Sequence, residues 1–154
     1  MKARTILFAL AFCLAGAAAC LASDSNLGTW KLNEAKSKIP AGMGKNTSVV
    51  YTAVGGKYKC VVDGVDGSGK PTHNEWTGNF DGKDYPIVGD PISDTRAIQT
   101  VDDHHYKLTN KKGGKPTVTG TIVVSADGKS RTLTTNSTDA SGKKATATFV
   151  YDKK

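Results

Sequence analysis

The sequence predicts an all-β domain, a single antiparallel up-and-down meander closed into a barrel of about eight to ten strands. Three observations predict it. Apolar residues recur at every second position over run after run, the period of a half-buried strand. Short turn pairs such as Asp-Gly and Gly-Gly separate these runs, and they supply the positive φ that tight hairpins demand. No stretch after residue 22 holds the 3.6-residue apolar period of a helix.

Residues 1–22 read as a signal peptide: Lys2 and Arg4 precede the apolar run "ILFALAFCLAGAAACLA". Cleavage after Ala22 leaves a single domain, 23–154, long enough to bury a core. Cleavage after Ala19 would instead leave Cys20 as the site of an N-terminal lipid anchor, although Ala17 stands where lipoprotein signals usually carry Leu. The apolar run is short for a bilayer span, so no transmembrane segment is expected and the protein is expected in the periplasm or secreted. Cys13 and Cys20 belong to the leader region. Cys60 then has no partner for an internal disulfide and reads as a small buried apolar group or, alternatively, as a thiol linking two chains.

The strands follow in order. In "TWKLN", within 28–35, Trp30 and Leu32 share one face. A long connection, "EAKSKIPAGMGKN" at 34–46, follows; its Pro and Gly make it a loop with at most one helical turn, placed to lie across one mouth of a barrel. Strands are expected at 46–54, at 57–65 (Tyr58, Cys60 and Val62 on one face), and at 71–80 (Trp76, Gly78 and Phe80). Further strands are expected at 83–88, 94–102 and 104–111, then at 115–126 (Val118, Gly120, Ile122 and Val124 opposite three threonines). The last two are 130–139 and 143–152, the latter with Ala147, Phe149 and Tyr151 on one face. Turns are expected at Gly55-Gly56, Asp63-Gly64, Asp66 to Gly69, Asp81-Gly82, Asp102 to His105, Gly113-Gly114, Asp127-Gly128 and Ser141-Gly142. Closure removes the exposed edges of such a meander. The second face of each strand carries Thr, Lys, Asn and Glu rather than the apolar band of a membrane barrel, so a soluble barrel is expected.

The formal charge is +7, and it falls to +5 without Lys2 and Arg4. The lysines are spread along the chain beside turn glycines with no block of five, which reads as a solvated surface rather than a nucleic-acid face.

"LGTWKLN" at the first strand, with a closed antiparallel meander behind it, resembles the calycin superfamily of lipocalins and fatty-acid-binding proteins. The resemblance implies a barrel in which Trp30 plugs one end and Gly28 allows close chain passage. It further implies a small apolar or amphipathic ligand inside. The ending "TFVYDKK" is similar to the last strand of the fatty-acid-binding branch, with Tyr151 in the place of the tyrosine of its Arg-x-Tyr carboxylate grip and Phe149 in the place of the arginine. The lid of two helices expected in that branch has no room in 34–46.

Other candidate chemistry is thin. "DDHH" at 102–105 carries metal-ligand residue types, but neighbours on a strand face opposite ways, and it reads as a polar turn. His73 and Glu75 share a face opposite Trp76, which reads as solvent. "DGSGKPT" at 66–72 lacks the spacing of a phosphate loop, and no Gly-x-Ser-x-Gly elbow occurs. Neither enzyme activity nor a cofactor is expected. Only Arg96 and Arg131 remain as arginines after the leader. Arg131 follows a turn and reads as exposed. Arg96 opens "TRAIQTV", where either Arg96 and Ile98 or Ala97, Gln99 and Val101 face inward; inward, Arg96 would hold an acidic ligand. The aromatic set of Trp30, Tyr51, Tyr58, Trp76, Phe80, Tyr106, Phe149 and Tyr151 would line the interior. Two functions stand against each other: a carrier whose ligand touches Trp30, Tyr58, Trp76, Phe80, Arg96, Tyr106, Phe149 and Tyr151, or a structural or protein-interaction barrel with a filled interior.

Overall fold

The computed structural model describes residues 24–138 and 144–154. The leader, with Cys13 and Cys20, and the Ser141-Gly142 turn lie outside the described residues. The chain forms ten antiparallel strands: β1 (Gly28–Leu32), β2 (Lys45–Val54), β3 (Lys57–Val65), β4 (Pro71–Gly78), β5 (Tyr85–Val88), β6 (Thr95–Thr100), β7 (His105–Lys112), β8 (Lys115–Val124), β9 (Ser130–Thr138) and β10 (Lys144–Lys153). Each strand pairs with its neighbours in sequence, and β1 also pairs with β10, so the meander closes on itself as a barrel. A 3₁₀ turn at Glu34–Lys36 is the helical element among the described residues. Within them no helix is long and apolar enough to cross a membrane.

Alternation decides which side chains enter the barrel. Along β10, Ala147, Phe149 and Tyr151 are buried while the intervening residues are at least partly exposed. Along β6, Arg96 and Ile98 point inward, which settles the choice left open by the sequence in favour of the arginine. Arg131 corrects an expectation. It is 2 % exposed, not a surface residue, because it is already the second residue of β9 and shares the inward parity of Leu133 and Thr135.

Asp63-Gly64 is also not a turn: both residues lie inside β3. The register between β2 and β3 shifts between Asn46 and Ser48, and this irregularity brings the β2 backbone onto Gly64. A Cβ at Gly64 would meet the Lys45 carbonyl oxygen and lie 2.9 Å from Asn46 Cα. Glycine is required there by close approach rather than by a turn. Gly28 does have a conformational reason, a φ of +122°, and Lys153 packs against it before placing its ammonium 4.9 Å from the centre of the Trp30 ring.

The connection between β1 and β2 lies at one end of the barrel with the loops after β3, β5 and β7. The opposite end holds the loops after β2, β4, β6 and β8 and the segment 24–27.

Candidate functional site

The barrel is packed at one end and hollow at the other. At the packed end Trp30, Trp76, Tyr106, Tyr151, Ile98, Ile122 and Val124 are fully buried. Phe80 stacks on Tyr58 at 4.0 Å between ring centres and meets Tyr106 edge-on at 5.6 Å. The segment 24–27 closes this end. Asp24 Oδ1 accepts from the Tyr106 hydroxyl at 2.7 Å, and the Asn26 carbonyl accepts from Trp30 Nε1 at 2.8 Å. Asn26 is itself buried, and its Oδ1 accepts from Arg131 Nε at 2.9 Å.

The hollow end holds a cavity of about 370 Å³, within the size range of small-molecule sites. Val49, Val62, Leu108, Val118, Leu133 and Phe149 form apolar wall, and Asn74, Asn110 and Thr135 interrupt it. Its rim is built from Met43 and Gly44 of the long connection, Asp66 and Gly67, and the loop 89–92 with Pro91 and Ile92. The connection therefore borders the mouth, as its position in the sequence suggested. β5 pairs through only two residues with each neighbour, Trp76 and Glu75 on one side and Arg96 and Thr95 on the other, so the wall beside the 89–92 rim has the fewest ladder bonds.

Four side chains make the floor. Arg131 rises from the packed end and stacks its guanidinium over Tyr51 at 5.6 Å and Tyr151 at 5.4 Å. Arg96, 6 % exposed, donates from Nε to Asn110 Oδ1 at 3.1 Å and brings Nη1 to 4.0 Å from Cys60 Sγ. Tyr51 and Cys60 are direct cross-strand partners, so both guanidiniums converge on one pair. Burial raises the Tyr51 hydroxyl and the Cys60 thiol above their ordinary pKa values, with the two arginines pulling the other way. Both groups are therefore neutral. Cys60 is fully buried under Arg96, which rules out its reading as a link between chains, and it is not surrounded by apolar groups alone.

Among the described residues the charge on this floor is uncompensated: no Asp or Glu is buried, and neither arginine makes an ion pair. Arg131 Nη1 is buried without an acceptor among the described residues. The rim carboxylates are already engaged: Asp66 Oδ1 accepts from the Ser68 and Lys70 amides, and Asp90 Oδ1 from those of Ile92 and Ser93.

Of the eight residues the sequence nominated, Arg96 and Phe149 border the cavity. Trp30, Tyr58, Trp76, Phe80, Tyr106 and Tyr151 do not; they pack the other end, where Phe80 stacks on the half-buried Tyr58 and on Trp76. Sequence reasoning missed Arg131 and Asn74 as lining residues, and it did not single out Cys60 as one. Arg131 was legible as a residue two positions before Leu133 on a predicted strand. The "DDHH" segment turns the chain into β7, whose first residue is His105, with Asp102 Oδ1 accepting from the His104 and His105 amides. His73 lies on the outer face against Asp63 and Glu75.

Compared with known proteins, no family model matches the chain and no curated protein matches it.

Proposed function

We propose that the protein is a non-enzymatic carrier that holds one small amphipathic molecule in the open half of a calycin-like barrel. The observation that supports this reading is the cavity of about 370 Å³ with an apolar wall and a polar floor. A barrel of purely structural use gains stability by filling such a space, because side chains lining a void forfeit dispersion contacts. The leader-like segment 1–22 supports action in the periplasm or outside the cell. Native mass spectrometry of the protein purified from its own compartment, with organic extraction of what it carries, tests the reading. A single co-purifying amphiphile, displaced by a neutral lipophilic fluorescent dye, is the expected result. Protein free of any such molecule that also fails to bind the dye would overturn it.

A further inference from the structure

We infer that the floor of the cavity is an anion site built for a phosphomonoester, so that the carried amphiphile enters phosphate first with its apolar part toward Met43, Pro91 and Ile92. The inference rests on the carrier reading and goes beyond it in naming the head group.

Two guanidiniums converge on Tyr51 and Cys60, and neither has an anionic partner among the described residues. Isolated buried cations are among the costliest features a core can hold. Arg131 spends Nε on Asn26 and leaves Nη1 without a partner among the described residues, and Arg96 spends Nε on Asn110 and Nη1 on Cys60 Sγ. Each keeps at least one terminal nitrogen for another acceptor. A carboxylate would neutralise one of the two charges with two oxygens. A phosphomonoester carries close to two negative charges at neutral pH and offers three oxygens, which matches two forks and two charges. Asn74, whose buried Oδ1 also has no partner among the described residues, lines the same cavity.

The charged and titratable groups facing the cavity are few. At the floor they are Arg96, Arg131, Tyr51 and Cys60, and at the rim Lys45, Asp66 and Asp90. No histidine lines it, and Tyr51 and Cys60 are held protonated. A change in affinity between about pH 5.5 and 7.5 therefore reports the second ionisation of the phosphate, near pH 6.

The test is calorimetric titration of the full mature chain with decyl phosphate, decanoate, decanol and inorganic phosphate. Decyl phosphate should bind about tenfold or more tighter than decanoate, and its advantage should grow from pH 5.5 to 7.5. Arg131→Met and Arg96→Met should each remove about tenfold or more of decyl phosphate affinity and weaken decanol far less; a cooperative thermal unfolding transition in each variant shows that it folds. Inorganic phosphate binding that both variants abolish supports the anion site even without an apolar ligand, and that result would count against the carrier reading alone. Decanol, decanoate and decyl phosphate binding alike, or decyl phosphate binding that ignores both substitutions, overturns the phosphate site and leaves the carrier standing. Failure of all four ligands overturns the phosphate site, and the carrier reading then stands or falls by the co-purification and dye test.

Discussion

Arg131 Nε donates to Asn26 Oδ1 across 105 residues of chain, inside the barrel and 2.9 Å apart. This bond ties the segment before β1 to the start of β9 and is the one protein acceptor the Arg131 fork has among the described residues. Asn26→Ala removes it and leaves a buried guanidinium with no acceptor among the described residues. A hydrogen bond to a charged group contributes about 1.5–3 kcal/mol. Asn26→Ala should therefore lower the urea midpoint by a corresponding amount, and Asn26→Asp, which supplies a carboxylate in the same place, should recover a large part of it.

Gly64 should be the glycine least tolerant of a methyl group among those inside strands. Its Cβ position is occupied by β2 backbone, which cannot rotate away as a side chain can. Gly64→Ala should cost about 1–3 kcal/mol, the range for forced overpacking. Gly42→Ala, at a loop glycine with open space around its Cβ position, is strained only by its φ of +76° and should cost about 1 kcal/mol. Chemical denaturation of the pair decides it: equal losses would mean that the close approach at the β2–β3 irregularity is relieved by backbone movement.

The barrel itself was legible in the sequence, because alternation and turn chemistry are local signals and each predicted strand overlaps an observed one. Closure was legible too, from the need to remove edges. The site was legible only in part. Alternation says that Trp76 and Cys60 point inward, but not at which height along the barrel axis they meet Phe80 or Arg96. That height follows from the stagger of strands far apart in the chain. Of the aromatic set expected around a ligand, Tyr51 and Phe149 border the cavity while the other six fill the packed end, and much of the lining falls to smaller aliphatic residues such as Val49, Val62 and Leu133. Gly64 misled because Asp-Gly is a turn signal by composition, whereas a strand irregularity uses the same residue for its missing Cβ.

Cys60 should be inert in the native state. It is fully buried beneath Arg96, and burial raises its thiol pKa, so little thiolate exists to react. Labelling by an aromatic disulfide reagent should proceed at the rate of global unfolding and accelerate with denaturant. Rapid stoichiometric labelling in native buffer would mean that the floor of the cavity is open to solvent.

Stability should fall off at both ends of the pH scale for separate reasons. Asp66 and Asp127 hold turns through Ser68 and Ser125 hydroxyls and following amides, and these bonds depress both carboxyl pKa values. A depressed folded pKa stabilises above the ordinary carboxylate range and is lost as pH falls through the folded value, so Asp66→Asn and Asp127→Asn should flatten the acid limb of a stability profile. Tyr151 behaves oppositely. Burial pushes its hydroxyl up to about 12, so the native chain keeps a proton that the unfolded chain loses near pH 10. Stability should decline from about pH 10 upward, and Tyr151→Phe should reduce that decline. Its hydroxyl has no partner among the described residues, so the substitution should cost little at neutral pH.

The two floor arginines should cost the ligand-free protein stability. Replacing even a buried ion pair by well-packed apolar side chains is often neutral or stabilising by about 1–4 kcal/mol, and a buried cation without an anion has less Coulombic attraction to lose. Arg96→Met keeps the length of the stem and leaves Asn110 as the group to be compensated, since Asn110 Oδ1 loses its donor. The double substitution Arg96→Met with Asn110→Leu removes both members and should raise the midpoint of thermal unfolding above that of the ligand-free wild type. The order should invert when ligand is present, because only the wild type gains binding energy in proportion to ligand concentration. Differential scanning calorimetry with and without decyl phosphate reads both halves. A double variant less stable than wild type without ligand would mean that Arg96 and Asn110 hold the barrel together, and that their place in the floor serves the fold.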